Sequence, residues 1–350
     1  MSARLEVTPV RLVLRSPLVT AWGELWERDI LRVRLAWSGE DFGVGEAAPL
    51  ELYDGVSAAA VGAALDTYRE VLRDADADAG HAELLAACAA ERELPQALAA
   101  IDLALWDRAG RRAGRPVAQL LAAGAAASVE VNATLGAEDR AGAAAQAAAA
   151  AAAGFGCVKV KVGIGDDAGR VAAVRAAAGP DMAIRVDANG AWSTAHEALA
   201  NLRALAGAGI EYAEEPVHGV DALAAVRAAG AVRVAMDETA VEPGAVGSGA
   251  TDAVCLKVSR CGGITGLLRD ARDARAAGSE VYVASSLDGP LGVAAGVHAA
   301  AALGTLPWCG LATLGMFEGF EGVLAPRAGA IAVPSGPGLL GDAGAGNGGQ

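Results

Sequence analysis

The chain has 350 residues, a hydrophobic fraction of 53% and a formal net charge of −14. That length suits one large domain plus a smaller one, and the acidity excludes the basic footprint that nucleic-acid binding needs. Ala-rich stretches are broken by glycines and charges, so no membrane span is expected.

Residues 1 to about 50 alternate apolar and polar positions in LEVTPVRLVL, DILRVRLAWSG and FGVGEAAP, the pattern of half-buried strands in an antiparallel meander. RSPLVTAWGELWERD (15–29) is too long for a tight hairpin and is expected as a loop carrying Trp22 and Trp26. A second loop, APLELYDGVS (48–57), carries Tyr53 as a substrate-contact candidate. AAAVGAALDTYREVL and LPQALAAIDLALWDRAG place apolar residues three and four apart, so 57–125 is expected to be helical, with Trp106, Asp102 and Asp107 as packing residues.

SVEVNATLG (128–136) reads as the first strand of a second region, with Asn132 expected to point into its mouth. AGAAAQAAAAAAAG (141–154) follows as a helix, because Ala is the best helix former. Then come CVKVKVG with Lys159 and Lys161, IRVDANGAW with Asp187 and Asn189, IEYAEEP with Glu214 and Glu215, VRVAMDE with Asp237 and Glu238, and AVCLKVSRCGG with Lys257. Each polar cluster ends a buried apolar run, and steps of 20 to 28 residues separate Lys159, Asp187, Glu214, Asp237 and Lys257. That spacing fits one strand and one helix, and about eight such units close into a parallel barrel with its active site at the strand C-termini.

EVYVASSLDGPLG (280–292) and LPWCGLATLG (306–315) are the expected seventh and eighth strands. Ser285, Ser286, Leu287 and Asp288 fall at a strand end, and the helix start after them suits a substrate carboxylate. His298, inside that helix, reads as packed. The expected organisation is an α/β chain: an α+β capping domain (1–125), a (β/α)7β barrel (126–315) and a C-terminal segment (316–350) that returns to the cap and ends in a mobile GAGNGGQ tail.

An acid or lysine ending one strand is by default a solvated boundary residue. Five successive units in the order Lys, Asp, Glu, Asp, Lys call for another reason. Asp187, Glu214 and Asp237 together make a hard oxygen site suited to Mg²⁺. The histidines (His81, His196, His218, His298) are scattered, so a soft-metal site is not expected. A partly desolvated lysine beside a metal and another cation has its neutral form favoured and suits proton abstraction. The metal would hold a substrate carboxylate and stabilise the enediolate left by loss of the neighbouring proton. Five cysteines without a CxxC argue against a disulfide framework, and with no signal-peptide core in MSARLEVTPVRL they fit a reducing cytoplasm.

The run KVKVG, DANGAW, EEP, MDE and LKVSRCGG resembles the enolase superfamily, and its Lys/Lys form resembles the muconate-lactonizing-enzyme subgroup; IDLALWDRAGRRAGRPVAQLL (101–121) is similar to that family's segment before the barrel. The resemblance implies Asp187, Glu214 and Asp237 as Mg²⁺ ligands, with Mn²⁺ able to substitute, and Asn189, Glu215 and Glu238 behind them. It implies Lys161 as base, Lys159 as its neighbour and Lys257 as the opposite-face lysine. It also implies that the loop at 15–29 closes over the mouth, with Trp22 shielding the substrate.

Within the family it resembles, the absence of a His ending the seventh strand disfavours a mandelate-racemase-like base, and the absence of the Asp-x-Asp that dipeptide epimerases carry on the eighth disfavours an α-amine ligand, although Asp288 could substitute as the acid. CGLAT and SSLDGPLG look most like o-succinylbenzoate synthases, implying syn-dehydration in menaquinone biosynthesis. The alternatives are a racemase or epimerase of N-acylamino acids or dipeptides, a muconate-type cycloisomerase, and a silent binding barrel, the last set against retention of all three acids and both lysines. The expected partner is a small carboxylate, with self-association into a homo-oligomer left open.

Overall fold

The computed structural model describes residues 3–20, 23–136, 139–305 and 307–341. Strands β1 (Arg4–Thr20), β2 (Gly23–Ala36) and β3 (Phe42–Ala47) form an antiparallel sheet in the order β1-β2-β3. The expected loop at 15–29 is largely ladder: Val13 pairs with Glu27 and Leu18 with Leu25, with an irregularity between them. Ser16 and Pro17 break the alternation that marks a strand, yet β1 is an edge strand, where a proline costs no essential ladder bond. Trp26 is 57% exposed, and Trp22 lies outside the described residues.

After the short α1 (Glu51–Asp54), helices α2 (Ala58–Arg73), α3 (His81–Glu91) and α4 (Pro95–Ala113) cover this sheet. Val61, Leu65, Tyr68 and Leu72 recur at helical spacing and meet Leu5, Val33 and Leu35 in one core. Helix α4 lies flush on β3 because residues 43 and 45 are glycine. A Cβ there would come within 1.9 Å and 2.1 Å of the Ala104 and Ala100 carbonyl oxygens.

Helix α5 (Val117–Leu121) leads to β4 (Ser128–Glu130) and β5 (Ala133–Leu135). The single first strand expected over 128–136 is thus divided. β4 pairs with the C-terminal β12 (Ala330–Ala332), and only β5 joins the barrel. Six further parallel strands follow: β6 (Cys157–Lys161), β7 (Ala183–Asp187), β8 (Ile210–Glu214), β9 (Arg233–Met236), β10 (Ala253–Lys257) and β11 (Glu280–Ala284). Each strand is hydrogen-bonded to its sequence neighbours. Helices α6 (Arg140–Ala152), α7 (Asp167–Ala178), α8 (Ala195–Leu205), α9 (Val220–Ala228), α10 (Ile264–Ala276) and α11 (Pro290–Leu303) alternate with them, except that β9 and β10 are joined through a 3-10 turn at Glu238–Val241. The result is a curled parallel sheet with a helical outer layer, the expected fold class.

The eighth strand expected over 306–315 is reduced to two bridges, Val131 to Cys309 and Ala284 to Gly310. Pro307 offers no N–H, and Trp308 has φ +62°, so a regular ladder cannot run through them. A buried arginine substitutes for the ladder. Arg185 on β7 donates to the carbonyls of Trp308 (2.6 Å) and Pro307 (2.9 Å) and to Glu211 (2.7 Å). The C-terminal segment returns to the first sheet's helices, with Leu339 N–H donating to Asp107 and Val117 N–H to Gly338. His298 is packed as expected, accepting from Ala118 N–H and facing the Leu339 carbonyl.

Candidate active site

Side chains two apart on a strand share a face, so β6 turns both Lys159 and Lys161 into the barrel mouth. Asp187 and Glu214 end the next two strands, Asp237 follows β9, and Lys257 ends β10. The three acids are almost fully buried. Lys159 Nζ stands between two of them, 2.8 Å from Asp187 Oδ2 and 2.7 Å from Glu214 Oε1. Lys161 Nζ lies 2.6 Å from both Asp187 Oδ2 and Asn189 Oδ1. On the far side, Lys257 Nζ donates to Asp237 Oδ2 at 2.7 Å.

Burial works against these charges, and the opposite charges outweigh it. Asp187 is held below the usual carboxylate range by Lys159 and Lys161, and Asp237 by Lys257 and Arg260. Lys159 and Lys257 are likewise held protonated, by Asp187 and Glu214 and by Asp237 respectively. Glu214 goes the other way: burial, reinforced by Asp187 and Asp237, pushes it up against the pull of Lys159.

Tyr53 and Arg260 complete the Lys257 side. Tyr53 Oη donates to Asp237 Oδ2 at 2.9 Å and accepts from Lys257 Nζ and from Arg260 Nη1, each at 2.6 Å. Arg260 Nη1 also reaches Asp237 Oδ1 at 3.2 Å. Tyr53, expected as a substrate contact, anchors the ammonium of Lys257. Arg260, three residues after Lys257 in VSRCGG, was visible in the sequence but not singled out there.

Behind the acids, Glu215 accepts from the N–H groups of Asp237 (2.8 Å) and Thr239 (3.1 Å) and lies 3.0 Å from His218 Nδ1. Asn189 bridges Lys161 to Glu238 through its amide, at 2.8 Å from Glu238 Oε1. Asn189 and Glu215 hold left-handed backbone, φ +46° and +39°, a strain that persists only where surrounding bonds impose it.

Lys159, Lys161, Asp187, Asp237, Lys257 and Tyr53 line a cavity of about 480 Å³, whose lining also includes Ser285, Ser286 and Leu287. A larger chamber of about 800 Å³ shares Tyr53, Asn189 and Lys257, but Lys159, Lys161 and Asp187 do not line it, so the smaller cavity holds the chemistry.

Three expectations fail here. Asn132 does not line the cavity; its amide donates to Thr134 Oγ1 at the seam beside Gly310. Asp288 is buried below the turn, accepting from Ser286 N–H at 3.1 Å, and does not line it either. The start of α11 does not await a substrate carboxylate, because the Leu291 N–H donates to Glu46 Oε2 at 3.1 Å.

A divalent cation fits the donor set. Ligand oxygens of Glu214 and Asp237 lie within 4.8 Å of one another and of Cys255 Sγ, and buried Glu214 Oε2 has no hydrogen-bond partner. Cys255 Sγ is a soft donor, which a hard ion passes over in favour of the carboxylates. Asp187 shares the Lys159 ammonium with Glu214, which keeps the third carboxylate beside the same space. All-oxygen donors favour a hard ion of the Mg²⁺ type.

The family model described as "Enolase C-terminal domain-like" matches residues 142–341, and "Mandelate racemase / muconate lactonizing enzyme, N-terminal domain" matches 2–122. The chain belongs to this enolase-superfamily family. Over 171 residues it is 42% identical to an o-succinylbenzoate synthase of Thermobifida fusca, covering 45% of this chain and 53% of that protein. Over 215 residues it is 32% identical to the N-succinyl-L-Arg/Lys racemase of Bacillus cereus, covering 59% and 58%. These matches span little more than half the length of either relative. The crystal structure of N-succinyl Arg/Lys racemase from Bacillus cereus superposes with a TM-score of 0.90 at 27% identity, covering 97% of this chain and 95% of that one. That of L-Ala-D/L-Glu epimerase from Bacillus subtilis gives 0.88 at 26% identity, covering 97% and 98%. Enolase-superfamily members are enzymes, and these relatives include both a synthase and racemases or epimerases.

Proposed function

We propose that this enzyme removes the proton α to a carboxylate, with Lys161 as base, and that its net reaction is syn-dehydration of a succinylated cyclohexadiene acid to o-succinylbenzoate. The observation that carries the choice of substrate is the rest of the lining of the cavity that holds the lysines. It includes Leu18, Leu50, Leu287 and Met316 with the hydroxyls of Ser285 and Ser286. Asp288 is turned away beneath it, and Asp139 at the rim spends its carboxylate on the Gly142 N–H. Among the described residues an α-ammonium would find no unengaged carboxylate there, which disfavours a dipeptide, whereas the leucine and methionine side chains suit a ring and the two hydroxyls suit a succinyl chain.

Asp187, Glu214 and Asp237 would hold Mg²⁺, with Mn²⁺ as substitute, and the ion would supply positive charge to the substrate carboxylate as it becomes an enediolate. Lys161 Nζ, held by Asn189 and Asp187, takes the α-proton and becomes an ammonium. Its side chain is 27% exposed, against 15% for Lys159 and 9% for Lys257, so it is the most open to a substrate. As the C–H electrons move into the ring, the C–O bond to the hydroxyl breaks. The hydroxyl then leaves with a proton as water, the Lys161 ammonium being on the correct face to supply it. Lys257, kept protonated by Asp237, faces the anion from the other side.

Racemisation of N-succinylamino acids is the second reading, favoured by the approach of Lys161 and Lys257 from opposite walls of one cavity. Loss of cyclohexadiene absorbance with Mg²⁺ present tests the dehydration. Deuterium incorporation from D₂O into N-succinylamino acids, without any such loss, would replace it by the racemase.

A further inference from the structure

The substrate-facing turn at Ser285–Leu287 is held in place from the capping sheet. Arg28 on β2, only 3% exposed, donates to the carbonyls of Pro49 (2.6 Å) and Ala48 (3.1 Å) just after β3 and to that of Ser286 (3.2 Å) in the turn. Glu46 on β3, equally buried, accepts from Leu291 N–H at the start of α11. Its carboxyl fits because residues 289 and 292 lack side chains. A Cβ at Gly289 would lie 2.7 Å from Glu46 Oε2, and one at Gly292 2.8 Å from Oε1. Between these anchors Leu287 holds φ +60°, a conformation costly for a γ-branched residue and kept only under constraint. Inside the turn, Asp288 N–H donates to Ser285 Oγ and Ser286 N–H to Asp288.

Neither Arg28 nor Glu46 lines the cavity, so neither touches a substrate. We propose that Arg28 and Glu46 are positioning residues, by which the seating of the capping sheet on the barrel sets the shape of the Ser285–Leu287 wall. The importance of that wall for substrate rests on the function proposed above; the latch itself does not.

Amide hydrogen exchange on the full chain tests the latch, comparing wild type with Glu46→Ala, Glu46→Gln and Arg28→Met. Acceleration of about tenfold or more confined to residues 284–292 is expected in the Ala and Met variants, with recovery in Glu46→Gln, which keeps an oxygen for Leu291 N–H. Unchanged exchange in that segment, or equal acceleration along the whole chain, overturns the proposal. Should Glu46→Ala fail to fold, Arg28→Met reads the same segment. With a substrate that wild type turns over, KM should rise about tenfold with kcat within about threefold, the signature of a misplaced binding wall. A fall in kcat at constant KM contradicts it. If wild type acts on neither candidate substrate, the proposed function fails, while the exchange result still decides the latch.

Discussion

Lys161 and Lys257 face one another across a single cavity, the first from β6 on Asp187 and Asn189, the second from β10 on Asp237 and Tyr53. Three acid-bearing strand ends separate them. Two lysines on opposite sides of a carboxylate cluster permit chemistry on either face of a planar enediolate, and their roles can be separated.

With an N-succinylamino acid in D₂O, Lys257→Ala should lose racemisation yet exchange the α-proton of one enantiomer only, the one presented to Lys161. Proton NMR of each enantiomer reads this directly. Exchange of both enantiomers by the variant would remove Lys257 from any base role.

Mg²⁺ should raise the thermal stability of wild type, because a ligand that binds only the folded state stabilises it by about 2.7 kcal/mol at a hundredfold excess over its dissociation constant. Asp237→Asn should abolish that rise as well as turnover. Calorimetry with and without chelator gives the answer, and full activity after exhaustive chelation would contradict a metal site.

Arg185→Leu should cost roughly 3–5 kcal/mol, since it leaves Glu211 and the carbonyls of Pro307 and Trp308 without their donor inside the protein. Denaturant unfolding measures it. A loss below about 1 kcal/mol would mean that the eighth strand position closes without Arg185.

Burial pushes the His298 imidazole down to about 4 from an ordinary value of 6.5. The folded state therefore holds it neutral, and its stabilising contribution, complete above pH 6.5, is lost as pH falls towards 4, by about 3 kcal/mol in all. Glu46 acts with the opposite sign, because burial and Asp288 push it up to about 7, so its contribution is complete below 4.5 and lost as pH rises to 7. The two overlap, and the test is the difference between wild type and His298→Gln. That difference should shrink as pH falls from 6.5 to 4, and a constant difference would mean that His298 does not titrate as described.

The barrel and its charged strand ends were legible because they follow from local pattern. Asp187, Glu214 and Lys257 each close an apolar run, and the distance between them is one strand plus one helix. Tyr53 beside Lys257 was only partly legible, since that contact joins residues 204 apart through docking of two layers. Glu46 and Arg28 sit in strands where charge normally marks the solvated face, so alternation alone hides their burial. The 15–29 segment misled because Ser16 and Pro17 interrupt the strand pattern at an edge that tolerates them. Asp288 looked exposed at a strand end and instead bonds back into its own turn.

The most direct test of the central claim is α-C–H cleavage by Lys161→Ala beside wild type, with Mg²⁺ and saturating cyclohexadiene acid or N-succinylamino acid, whichever wild type accepts. The expected result is a rate lower by about 10³-fold or more, within the range for loss of a positioned base, with an unchanged circular dichroism spectrum and an intact Mg²⁺-dependent rise in stability. A variant that cleaves the bond at a near-normal rate would contradict the account.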